Sequence, residues 1–145
     1  MTPVLRTEGL TKRYGHHEAL RDVTVTVPAG RVVGLVGPNG AGKSTFLNLA
    51  AGTIAPTSGT IEVLGSRPAA DVAQLAKVGF VAQDTPVYAG LSVEDHLRLG
   101  ARLNPNWDDA LARRRLTQIG LNPAQKAGRL SGGQRAQLAL AVAAA

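Results

Sequence analysis

The chain has 145 residues, 44% of them apolar, and sixteen Lys and Arg against ten Asp and Glu give a formal charge of +6. With no Cys, disulfides, thiolate metal sites and thiol nucleophiles are excluded; the longest apolar run, Leu138–Ala145, is far below the roughly 20 residues of a membrane-spanning helix, and the first residues lack the apolar stretch of a signal peptide, so a cytoplasmic address is expected. Twenty-three of the apolar residues are Ala, which leaves few bulky side chains for a core and makes the completeness of the domain a question.

Val23, Val25 and Val27 alternate with Thr24 and Thr26, the period of a half-buried strand, and Pro28-Ala29-Gly30 behind them predicts a hairpin turn. The next run, Val32-Val33-Gly34-Leu35-Val36, is continuously apolar, as expected of a strand buried on both faces in a parallel sheet. A helical pattern covers Thr45 to Ala51 and stops at Gly52. Further strands are expected at Thr60–Val63 and Val78–Ala82. Beyond Gln83 the signals are helical. Ser92 followed by Asp95 resembles a capping box opening a helix through about Leu103. A second helix is expected from Trp107 to Ile119, stopping at Gly120, and a last one from Ser131 to the end. The coarse organisation is a strand-rich core over about 1–87, a helical lobe over about 88–128 and a closing segment, 129–145.

Residues 1–97 carry eight basic and eight acidic side chains, whereas residues 98–135 carry eight basic and two acidic, so the whole excess sits in one segment. A basic stretch suits a nucleic acid, phosphate or anionic membrane partner. With Trp107 as its one aromatic residue, the segment reads instead as a solvated helical face.

Gly37-Pro38-Asn39-Gly40-Ala41-Gly42-Lys43-Ser44 satisfies G-x-x-x-x-G-K-[ST] in full, between an expected strand and an expected helix that continues at Thr45. Glycines at 37, 40 and 42 let the backbone turn its N–H groups around a polyphosphate, where a Cβ would block both the φ values and the approach. Unpaired N–H donors at the helix start add a positive dipole end. Lys43 supplies a mobile ammonium for β and γ phosphates, and Ser44 a hydroxyl for Mg²⁺. At Leu130-Ser131-Gly132-Gly133-Gln134 a second Gly-rich segment opens a helix, with Ser131 as N-cap.

Over Leu10–Gln134 the chain resembles the nucleotide-binding domain of ATP-binding cassette (ABC) transporters. GPNGAGKST is similar to that family's Walker A motif, and LSGGQ matches its signature motif letter for letter. Tyr14, in LTKRYG, sits where the family carries the aromatic residue that stacks on adenine. Gln83, after VGFVA, sits where its Q-loop glutamine reaches Mg²⁺ and the attacking water. Ile54–Gly65 and Gly90–Leu103 also read like this family, most like stand-alone subunits of bacterial exporters.

The resemblance implies an α/β fold of the P-loop NTPase, ABC-type ATPase class, with N-terminal antiparallel strands, a parallel-sheet core and an inserted α-helical subdomain. It implies ATP and Mg²⁺ as ligands, and a head-to-tail dimer with a second nucleotide-binding domain. Each ATP then lies between residues 37–45 of one copy and Ser131, Gly132, Gly133 and Gln134 of the other. Ser44 and Gln83 are the implied metal-facing groups, and Lys43 and Gln83 the implied catalytic ones. Transmembrane permease subunits are the other implied partner, holding the chain at the inner face of the cell membrane, and no nucleic acid partner is expected.

The family's Walker B Asp, catalytic Glu, D-loop and switch His follow further downstream than Ala145 reaches. His16, His17 and His96 lie too early for the switch His and read as surface imidazoles, and Asp108 and Asp109 belong to the helical lobe. The expectation is therefore a fold lacking its C-terminal part, with apolar surface and unpaired backbone uncovered at Val32–Val36, in a chain that binds ATP without hydrolysing it. The alternatives are a non-transport ABC ATPase acting on ribosomes or DNA, favoured by the basic 98–135 segment, and a P-loop kinase, against which LSGGQ counts.

Overall fold

The computed structural model describes residues 3–145, which form two compact units divided between Val78 and Gly79. In the first unit β1 (Pro3–Tyr14) and β2 (His17–Pro28) make an antiparallel hairpin, and β3 (Ser58–Val63) lies antiparallel along the other side of β1. The strand order is β2-β1-β3. The hairpin turn falls at Gly15-His16, where Gly15 takes a φ of +59°, and not at Pro28-Ala29-Gly30. The valine alternation locates β2, but its partner is the strand before it. That partner lacks a clean alternation because β1 is bulged, with register breaks between Thr7 and Leu10 and between Leu10 and Lys12.

Threonine hydroxyls patch the bulged ladder. Thr7 Oγ1 donates to the Val23 carbonyl at 2.9 Å and accepts from the Val25 N–H at 3.0 Å. Thr24 Oγ1 accepts from the Gly9 N–H, and Thr11 Oγ1 from the Asp22 N–H, each at 3.0 Å. Each hydroxyl pairs a backbone group that the interrupted ladder leaves over.

Across one face of this sheet lies α1 (Lys43–Ala51), which sets Phe46, Leu49 and Ala50 against Leu10, Leu20 and Ile61. The spacing i, i+3, i+4 is that of one helical stripe. A short helix, α2 (Val72–Leu75), is capped by the Asp71 side chain.

The parallel-sheet core expected around Val32–Val36 and Val78–Ala82 is not formed. Neither segment is a strand, and Val32 and Val36 are 105% and 90% exposed. A parallel strand is stable only between hydrogen-bonded neighbours. Among the described residues none pairs with either segment, so high β-propensity finds no ladder to join.

The second unit is helical: α3 (Val93–Leu103), α4 (Asp109–Gln118) and α5 (Gly132–Ala144), with a 3₁₀ turn at Ala127–Arg129. Val93, Leu97, Ala112, Leu116, Leu138 and Ala141 converge into one core from the three helices. Both predicted N-caps are present. Ser92 and Asp95 exchange side-chain to backbone hydrogen bonds at 3.0 and 2.9 Å, and Ser131 and Gln134 do the same at 3.1 and 2.9 Å. Among the described residues no helix is long and apolar enough to cross a membrane.

Candidate functional site

The segment that feeds α1 curls tightly. Gly40 and Gly42 hold φ values of +82° and +94°, which a side chain rarely adopts, while Gly37 does not. A Cβ on Gly42 would also lie 2.7 Å from Leu20 Cδ2, so the loop is seated directly on β2. The conformational demand therefore rests on Gly40 and Gly42. Gly42 is the N-cap of α1 and offers no side-chain acceptor to the first-turn amides. A helix start left open in this way presents N–H donors and the positive end of the dipole.

Lys43 folds back over the same loop. Its Nζ donates to the Gly37 and Pro38 carbonyls, both at 2.7 Å. The Ala41 N–H closes the turn on the Pro38 carbonyl at 3.2 Å. Ser44 is exposed and Thr45 half-buried, one turn or less from the cap.

Tyr14 is the last residue of β1 and pairs with His17, while Lys12 pairs with Leu20, the residue beneath Gly42. The loop and Tyr14 thus share one end of the hairpin. The Tyr14 ring is 49% exposed, with Lys12 Nζ 5.1 Å from its centroid. Beside it the Glu18 carboxyl is held below its ordinary range by hydrogen bonds from Arg21 first and Arg13 second. The two guanidiniums offset this carboxylate.

In the second unit Gln83 is exposed in a turn that the Thr85 N–H closes on the Ala82 carbonyl at 3.0 Å. Ser131, Gly132, Gly133 and Gln134 are all exposed at the start of α5. Ser131 Oγ accepts from the Gln134 N–H, which leaves its own proton free to donate.

His96, expected at the surface, is buried. Its Nδ1 is 2.7 Å from the Ser92 carbonyl and its Nε2 accepts from the Tyr88 N–H at 3.0 Å. The helix periodicity carries the reason, since His96 lies between Val93 and Leu97 on the core-facing stripe of α3. Residue type alone does not set Lys12 apart from other surface lysines. Its position two residues before Tyr14 on the same strand face was the available signal.

Among the described residues no group of three or more His, Asp or Glu is arranged to hold a metal. Glu94 and Asp109 bind Arg113, Glu18 binds Arg13 and Arg21, and Asp71, Asp95 and Asp108 cap helices. A Mg²⁺ ion bound here would draw on a hydroxyl, phosphate oxygens and water, a donor set this hard cation accepts. The open helix start and the Lys43 ammonium fit the phosphates themselves.

A glycine-hinged loop opening a helix, with its lysine folded back on the loop carbonyls, defines a P-loop protein. The family model of the ABC transporter matches residues 20–145, and the chain belongs to that family. Over 150 residues it is 34% identical to the ABC transporter ATP-binding protein YxlF of Bacillus subtilis, across 97% of this chain and 48% of that protein. Over 145 residues it is 35% identical to the sulfate/thiosulfate import ATP-binding protein CysA of Methylococcus capsulatus, across 94% of this chain and 42% of that one. The chain thus spans less than half the length of these two relatives.

Among solved structures, an ATP-binding subunit of an ABC transporter superposes with a TM-score of 0.84 at 28% identity, covering 96% of this chain and 60% of that one. A nucleotide-free ATP-binding cassette gives 0.76 at 27% identity, covering 98% and 64%. The exporter-like reading of Ile54–Gly65 and Gly90–Leu103 finds no support here, because the CysA relatives of Mesostigma viride and Methylococcus capsulatus are import proteins.

Proposed function

We propose that residues 37–45 bind the polyphosphate of ATP, that Tyr14 stacks on its base, and that the chain is the nucleotide-binding part of an ABC transporter's ATP-binding subunit. The observation that carries this reading is Lys43, whose ammonium is held by the Gly37 and Pro38 carbonyls at the open start of α1. Lys43 exchanges these two acceptors for phosphate oxygens. The first-turn amides of α1 and the Ser44 hydroxyl add the remaining donors and the Mg²⁺ contact, and the family pattern assigns Gln83 to the same ion.

The signature segment fits the complementary half of the family's head-to-tail dimer. Ser131 has a hydroxyl proton to donate, and Gly132 and Gly133 bring exposed backbone to the start of α5. Permease subunits are the proposed membrane partners, which sets the chain at the inner face of the cell membrane. Arg98 and Arg113 are engaged with Glu94, Asp95 and Asp109, which supports the solvated-face reading for these two arginines of the 98–135 segment. Sulfate and thiosulfate import belong to the CysA relative, and nothing in the loop, Tyr14 or the signature selects a cargo.

Attack of water on the γ-phosphate requires a catalytic base or water-positioning group, and beyond Gln83 no motif position between Tyr14 and Gln134 supplies a carboxylate for that role. Purified residues 1–145 are therefore expected to bind Mg·ATP with little turnover. Titration calorimetry on wild type and Lys43→Ala, with phosphate release measured on the same samples, tests both statements. Equal ATP affinity in the two proteins would remove the phosphate assignment. Steady release above the Lys43→Ala blank would place a water-positioning group outside the family pattern.

A further inference from the structure

We propose that Lys12 is a positioning residue for the nucleotide base, holding the Tyr14 ring from one face so that the other is presented for stacking. This rests on the nucleotide-binding reading above and adds a residue to it. Lys12 and Tyr14 are i and i+2 on β1 and so share a face of the strand. The Lys12 ammonium lies over the ring, 5.1 Å from its centroid, a distance at which the cation is attracted by the ring's quadrupole.

The ammonium is also anchored. Lys12 Nζ donates to the Ala55 carbonyl at 2.8 Å. That carbonyl is itself fixed, because the segment after α1 is tied to β1 by two hydrogen bonds, Thr57 N–H to the Thr11 carbonyl and Arg13 N–H to Thr57 Oγ1, both at 2.9 Å. Ala55 therefore sets Lys12, and Lys12 sets Tyr14. Arg13, pointing to the opposite face, is committed to Glu18 and does not compete for the ring. A half-exposed tyrosine at a strand end would otherwise sample several rotamers, and each stacking event would carry the entropy of ordering it. A cation behind the ring also draws π density toward itself, which favours an electron-rich purine on the free face.

The test compares wild type, Lys12→Met, Lys12→Arg, Tyr14→Ala and the Lys12→Met/Tyr14→Ala double variant by calorimetric titration with Mg·ATP and with inorganic tripolyphosphate. Lys12→Met is expected to weaken ATP binding roughly two- to fivefold, the range of an exposed cation–π contact, and to leave tripolyphosphate unchanged. Lys12→Arg restores binding, because a guanidinium keeps both the charge and a donor for Ala55. In the Tyr14→Ala background the Lys12→Met effect disappears.

If Tyr14→Ala weakens ATP binding and Lys12→Met does not, the proposal falls while the site reading stands. Equal losses for ATP and tripolyphosphate overturn it in favour of a plain charge effect on phosphate. A wild-type chain that binds no ATP, or a Tyr14→Ala variant that binds it unchanged, overturns both. An independent arm needs no nucleotide: the ε-methylene protons of Lys12 are expected to show an upfield ring-current shift that vanishes in Tyr14→Ala, and its absence in wild type overturns the geometry.

Discussion

Arg113 forms a two-pronged contact with Glu94, its Nη1 donating to Oε2 and its Nη2 to Oε1, both at 2.9 Å, so that the middle of α4 is clasped to the first turn of α3. The third guanidinium nitrogen, Nε, donates to Asp109 Oδ2 at 2.7 Å. Paired hydrogen bonds of this geometry are stronger than a single charged contact. Glu94 is the less exposed partner, and its carboxyl is held below the ordinary glutamate range, chiefly by hydrogen bonds from Arg113.

A depressed folded-state pKa stabilises the fold above the unfolded pKa, and that contribution is lost as pH falls through the folded one. The melting temperature of the helical unit should therefore drop on acidification below the ordinary glutamate range. Glu94→Gln should melt lower than wild type at neutral pH, and the gap between the two should close in acid. A gap that stays constant from neutral to strongly acid pH would show that the pair adds no pH-dependent stability.

The Trp107 ring is seated on the bare backbone of Gly100. A Cβ at Gly100 would lie 2.7 Å from Trp107 Cη2, closer than any ordinary contact. Gly100→Ala should force the ring aside and cost about 1–3 kcal/mol, the usual penalty of overpacking, with a change in the fluorescence of the single tryptophan. Gly90→Ala, which meets no atom within 4 Å, is the control. Urea unfolding followed at Trp107 distinguishes them, and equal midpoints would contradict the packing.

In His96, Nε2 accepts the Tyr88 N–H while Nδ1 faces the Ser92 carbonyl, an arrangement that assigns the ring proton to Nδ1. Replacing His96 by Phe keeps the ring and strands both partners, for an expected loss of about 1–3 kcal/mol. His96→Gln retains an acceptor for Tyr88 and should lose less. Amide exchange at Tyr88 should accelerate in His96→Phe and stay near wild type in His96→Gln, and ¹⁵N shifts of the imidazole report the tautomer directly.

Val32 and Val36 face solvent in this chain. Val32→Lys with Val36→Lys should therefore shift unfolding by no more than about 0.5 kcal/mol, as surface changes do, and should reduce self-association measured by light scattering. Leu49→Ala, at a fully buried site under the sheet, should cost about 2–5 kcal/mol in the same assay. A large loss for the valine pair would mean that they are buried.

What the sequence determined by itself is what short-range chemistry determines. The two capping boxes, Ser92 with Asp95 and Ser131 with Gln134, close over three residues and need no distant partner. The loop 37–45 is legible for the same reason, because its glycines and Lys43 act on backbone within six residues. Tertiary structure decided everything that depends on a neighbour far along the chain. Val32–Val36 has the composition of a buried strand yet forms none without a paired ladder, and β1 was hidden because its alternation is broken by bulges that threonines on β2 and β1 repair. The burial of His96 and the seating of Lys12 over Tyr14 belong to the same class. Each is set by a carbonyl or an N–H whose position follows from how other segments pack, and residue type alone carries no record of that.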